Sequence, residues 1–150
     1  PLSARGYCCL RQGEENRHRL LQTFVEDPTS VLFATDSFWE GVDVPGEALS
    51  VLVIAKLPFD VPSDPIVAAR SETFENPFQE YNLPEAILRF RQGFGRLIRT
   101  QYDRGVVVIA DRRVLTKRYG RLFIESLPQC TRRIASLEKL PSEAARWLNF

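Results

Sequence analysis

Three short, uninterrupted apolar runs constrain the fold of this chain most: Val31 to Thr35, Val51 to Lys56 and Val106 to Ala110. Runs of this kind have the form of strands covered on both faces, as in parallel sheets. Tyr7 to Leu10 reads as a further short strand. Helical periodicity fills the intervals. A helix is expected from about Glu14 to Glu26, with Leu20, Leu21, Phe24 and Val25 inward, and Asp27-Pro28 ends it. Others are expected from Asp64 towards Phe74, from Asn82 or Pro84 through Arg99, from Thr116 to Ser126, and from Pro141 through Trp147. Strands alternating with helices give an α/β domain with a mainly parallel sheet. Ligands of such sheets bind beyond the carboxyl ends of the strands. Three segments gather on that edge: the loop after Thr35, the proline-rich loop from Leu57 to Pro65, and Asp111-Arg112-Arg113.

The helix through Arg99 carries the most chemistry. At about 100° per residue, Ile87, Phe90, Phe94, Leu97 and Ile98 form an apolar stripe. Arg89, Gln92, Arg96 and Arg99 fall on the opposite side. Gly93 and Gly95 interrupt it at a cost of about 1 kcal/mol each relative to alanine. They make sense where a backbone or ligand comes close. An amide and guanidiniums on such a face suit phosphate oxygens. A solvated basic face is the plainer reading, but it has no need of the glycines.

Composition sets outer bounds. A chain of 150 residues fits one domain and can bury about two-thirds of its unfolded surface. A net charge of +1 announces no polyanion partner, yet basic residues crowd between Arg89 and Arg133, and a local patch is enough to bind one. Cys8, Cys9 and Cys130 lack the spacing of a zinc or iron–sulfur site. Free thiols without a disulfide framework favour a reducing cytosol. No apolar run approaches membrane-spanning length, and the N-terminus lacks signal-peptide form. A chain that begins at Pro1 and contains no methionine reads as a piece of a longer protein.

The segment Gln92-Gly93-Phe94-Gly95-Arg96-Leu97-Ile98-Arg99 resembles motif VI of superfamily 2 helicases. Thr35-Asp36-Ser37-Phe38-Trp39-Glu40-Gly41-Val42-Asp43-Val44-Pro45-Gly46 resembles motif V of the DinG/XPD-like DNA helicases. Lys56-Leu57-Pro58-Phe59 and the stretch from Asp103 to Arg113 sit where that family has similar segments. The resemblance runs from about residue 7 to residue 128 and implies a RecA-like three-layer α/β/α domain, N-terminally truncated by a strand or two. Residues 1–150 would then be the second, C-terminal motor domain, with the first motor domain absent.

Roles follow from the resemblance residue by residue. Arg99 and Arg96 would point at the γ-phosphate of ATP, Arg99 as the arginine finger that stabilises charge on the transferring phosphoryl group. Gln92 would be a hydrogen-bonding sensor, with Gly95 beside it. Gly41 would shape the motif V loop, Asp43 would contact the nucleotide side or hold a motif VI arginine, and Glu40 is grouped with them. Ser37, Lys56 and the aromatics Phe38, Trp39 and Phe59 are the DNA-binding candidates. Bases stacked on such rings gain roughly 1–3 kcal/mol each, although large aromatics beside strand ends also serve as lids over a core. Arg112, Arg113, Lys117, Arg118 and Arg121 form either a solvated face or a phosphate track.

No Walker A loop occurs, since no glycine is followed by lysine anywhere in the chain. The resemblance therefore implies half an engine. ATP and Mg²⁺ would be shared with the N-terminal RecA-like domain of the same protein. Any iron–sulfur cluster would lie in that domain, and none in this chain. Single-stranded DNA would be the other partner, with no membrane, in the cytoplasm or on a bacterial nucleoid. This chain alone is expected to hydrolyse no ATP. A non-catalytic nucleic-acid-binding or regulatory module that retains the fold is the alternative.

Overall fold

The computed structural model describes residues 2–38, 48–97 and 104–149. Its elements in order are β1 (Cys9–Arg11), α1 (Arg17–Glu26), β2 (Val31–Phe33), β3 (Val51–Ile54), α2 (Pro65–Ser71), α3 (Leu83–Leu97), β4 (Val106–Ile109), α4 (Arg113–Thr116), α5 (Gly120–Glu125) and α6 (Leu140–Leu148). A 3-10 turn, Asp36–Phe38, follows β2, and a π-helical turn, Phe78–Asn82, leads into α3. Both strand pairs are parallel: β1 with β2, Cys9 opposite Val31, and β3 with β4, Val51 opposite Val106. Among the described residues the strands form two two-stranded sheets, where the sequence suggested one.

Local chemistry sets the helix starts. The Asn16 side chain accepts from Arg19 N–H at 2.9 Å and opens α1. Asp64 accepts from Ile66 and Val67 N–H ahead of Pro65, which opens α2. Along α3, Leu83, Ala86, Phe90, Phe94 and Leu97 are buried, a stripe of three- and four-residue steps that lays one face on the core.

Two apolar clusters result. The larger joins Ile54 and Leu57 to Leu83, Ala86 and Phe90 of α3 and to Val114 and Phe123. Phe90 and Phe123 are both 0% exposed and meet edge to face at 5.3 Å. The smaller cluster has Leu20 and Phe38 buried at its centre, with Leu10, Phe24 and Leu32 around them.

Two expectations need correction. Among the described residues β2 and β3 are not covered on both faces: Val53 is 60% exposed, and Val51 and Phe33 are exposed too. An apolar run reports strand propensity and not which face is packed. The expected helix Thr116–Ser126 begins late: α4 ends at Thr116, the chain turns a corner, and α5 runs only from Gly120 to Glu125. Lys117 is extended there, and Gly120 packs so tightly that a Cβ would overlap the carbonyl oxygens of Arg113 and Val114. Only glycine fits that approach.

Candidate functional site

The carboxyl ends of β2 and β3 open onto one groove of about 980 Å³. Thr35 and Asp36 line it from the β2 side, Lys56 through Pro62 from the β3 side, and Phe78, Asn82, Arg113 and Tyr119 close it. This is the edge on which parallel strands present ligand-binding loops.

Asp111 fixes one wall. Its carboxylate accepts from Leu57 N–H at 2.8 Å and from the Arg113 backbone N–H at 2.9 Å, and it pairs with the Arg113 guanidinium at 2.6 Å. The loop after β3 is thereby tied to the loop after β4. The bonds from the Arg113 side chain hold the Asp111 pKa at about 2, against a further pull upward from burial. Arg113 also lies over the Phe59 ring, 5.4 Å from its centroid. Phe59 stacks on Phe78 and meets Tyr119 and Phe123 edge to face. The ring is half-buried and committed to this wall, so it serves as a lid over the core more than as a free stacking platform.

The other wall is braced by polar side chains. Gln12 Oε1 accepts from Thr35 N–H at 2.8 Å and from its hydroxyl at 3.0 Å. Arg17 donates to the carbonyls of Ser37 and Phe38 at 2.7 Å each. Ser37 is exposed, with its hydroxyl 2.9 Å from that of Thr35. Phe38 points inward, 6% exposed, with the Arg17 guanidinium over its ring. Its expected role in stacking bases gives way to packing, because Leu20 and its neighbours already cover the ring. Lys56 is exposed on the groove.

On α3, Gln92 and Gly95 are exposed and Arg96 is half-buried, all on the side away from the buried stripe or flanking it. A Cβ at Gly95 would meet nothing within 4 Å among the described residues, so none of these requires glycine there. Arg89, grouped by periodicity with the phosphate-facing arginines, instead forms a two-pronged pair with Asp60, one prong at 3.0 Å, and lies 4.0 Å from Asp36. Its pKa is raised, first through the hydrogen bonds to Asp60. Trp39, Glu40, Gly41, Asp43 and Arg99 lie outside the described residues.

The basic stretch after β4 divides. Arg113 turns in to Asp111, Arg121 pairs with Glu125 at 3.1 Å, and Arg112, Lys117 and Arg118 are exposed. Among the described residues no group of histidine, cysteine and carboxylate side chains could hold a metal ion, and no helix is long and apolar enough to cross a membrane.

Residues 2–130 match the family model described as the helicase C-terminal domain. The chain belongs to that family. The family's fold is RecA-like, and the parallel strand pairs with flanking helices fit it. Among relatives, the domain is 49% identical over 127 residues to the ATP-dependent DNA helicase YoaA of Escherichia coli, and 48% identical to its namesake in Haemophilus influenzae. Each alignment covers 82% of this domain and 20% of the relative. It is 45% identical over 133 residues to the 3'-5' exonuclease DinG of Bacillus subtilis, covering 85% of the domain and 14% of that protein. The domain thus spans a fifth or less of these relatives.

Sequence reasoning missed Gln12, Arg17 and Asp60, and it placed Asp111 on the binding edge without its tie to Leu57. Asp111 had a local signal, an acid directly after an apolar strand. The others act across 20 or more residues and leave no periodic trace.

Proposed function

We propose that this domain is the C-terminal motor half of an ATP-dependent DNA helicase of DinG type. ATP with Mg²⁺ binds between it and a Walker-bearing N-terminal domain of the same protein, in the cytoplasm. Gln92, Gly95 and Arg96 face the triphosphate, Arg99 supplies the finger, and Glu40, Gly41 and Asp43 link the nucleotide to the DNA. Single-stranded DNA lies along the strand-end edge, contacted by Ser37, Trp39 and Lys56. One observation carries this reading: Gln92 and Gly95 stand exposed on a helix whose opposite face is buried, and Arg89 of the same helix is paired with Asp60, which lines the groove at the strand ends. The open space over Gly95 admits a close approach from outside the chain. Bound ATP would supply the free energy of hydrolysis; this domain's part is to bind, orient and neutralise charge from its own side of the cleft.

The test is Arg99→Ala in the full-length protein. ATP turnover should fall on the order of 10³-fold while single-stranded DNA binding survives. Unchanged turnover would refute the finger assignment. The domain alone should hydrolyse ATP no faster than a blank; substantial DNA-stimulated hydrolysis by it would refute the half-engine reading. The exonuclease name of the Bacillus relative favours a second reading, in which the motor serves a nuclease and need not unwind duplexes. A strand-displacement assay separates the two.

A further inference from the structure

Arg89 joins two loops to the helix that bears Gln92 and Arg96. Its fork grips Asp60, in the loop after β3, through both carboxylate oxygens. That geometry fixes the plane of the guanidinium as well as its position. Asp36 stands 4.0 Å away at the head of the 3-10 turn after β2. The two oxygens of Asp36 have different duties. Oδ1 accepts from Ser37 N–H at 3.0 Å and shapes the turn, while Oδ2 faces Arg89. Arg89 and Asp60 keep only 22% and 19% of their side-chain surface, so water screens them weakly; Asp36 keeps 36%.

Two carboxylates therefore share one guanidinium at the groove. A phosphate entering beside Asp36 meets repulsion unless that carboxylate is neutralised, and the nearby Arg89 can do so by a small closing of the turn towards α3. Arg89 lies one helical turn before Gln92 and two before Arg96, so a pull on it acts on the same side of the same helix. The opposite side of α3 is packed, which lets the helix answer as a unit.

We propose that Arg89 is a positioning residue that couples occupancy of the strand-end groove by a DNA strand to the placement of Gln92 and Arg96, and so sets how strongly DNA stimulates ATP turnover. The inference rests on the helicase reading above.

The experiment uses the full-length protein, with ATP turnover measured with and without a saturating thymidine oligonucleotide, and a thermal melt of each variant. Arg89→Gln should lower DNA-stimulated kcat about 10-fold, leaving the DNA-free rate and the KM for ATP within about threefold. Asp36→Asn keeps the bond to Ser37 and the fold, and should lower stimulation in the same direction by a smaller factor. Arg89→Lys keeps the charge without the fork and should fall between Arg89→Gln and wild type. Arg89→Gln and Asp36→Asn variants with wild-type stimulation would overturn the inference alone. So would an equal fall of stimulated and DNA-free rates with a lowered melting temperature, which marks a purely structural pair. Should Arg89→Gln not fold, Asp36→Asn decides by itself. Wild-type protein without DNA-stimulated turnover would overturn the helicase reading, and this inference with it.

Discussion

The two walls of the groove are held by different forces. On the β3–β4 side, Phe59, Phe78, Phe90, Tyr119 and Phe123 interlock, and Asp111 ties the loops above them. On the β1–β2 side, among the described residues, only Leu20 and Phe38 are buried, and the turn at Thr35–Phe38 hangs on the side chains of Gln12 and Arg17. Apolar interlocking is non-directional and lost only by opening a cavity. Side-chain hydrogen bonds at an exposed loop exchange with water at little net cost. One wall is therefore a fixed reference and the other is the easier to displace, an asymmetry that suits the proposed response to DNA.

Mutations can break this contrast. Phe123→Ala, at the centre of the aromatic wall, should lose about 3–5 kcal/mol of stability in urea unfolding; a loss near that of a surface change would deny the wall its anchoring role. Asp111 comes next. Its folded pKa of about 2 lies below the ordinary 3.8, so its contribution is fully present above the unfolded value and is lost as pH falls through about 2. The size is about 2 kcal/mol. Asp111→Asn should flatten stability between pH 4 and pH 2 by that amount, measured by denaturation at each pH; a parallel pair of pH curves would contradict the pairing with Arg113. The smallest effect belongs to the polar wall. Gln12→Ala should cost about 1 kcal/mol, yet speed amide exchange at Thr35 while leaving Leu57 unchanged. Equal changes at both amides would erase the distinction between the walls.

The sequence made legible what is local. The stripe of α3, the start of α2 at Asp64 and the parallel strands follow from spacing and residue type within a few positions. The gathering of three loops on one edge followed from element order alone. Side-chain bridges were invisible, because Arg89 to Asp60 spans 29 residues and Leu57 to Asp111 spans 54, with no period to mark either. Arg89 shows the cost most plainly. Helical phase put it correctly on the polar face, but phase cannot say that a carboxylate from another loop already occupies it. Phe38 is the reverse case, an aromatic at a strand end whose direction only the packing of Leu20 decides. The corner at Gly120 was missed because a glycine within an apolar stretch signals contact only once the contacting backbone is known.

That corner has a consequence for how the domain tolerates change. Position 120 has no room for even a methyl group, and the atoms it would strike are the carbonyls of the two residues that follow the Asp111 loop. A replacement there would strain the backbone of Arg113 and Val114, from which the Arg113 side chain reaches Phe59 and Asp111. The shape of the strand-end groove is thus under the veto of a residue that does not line it.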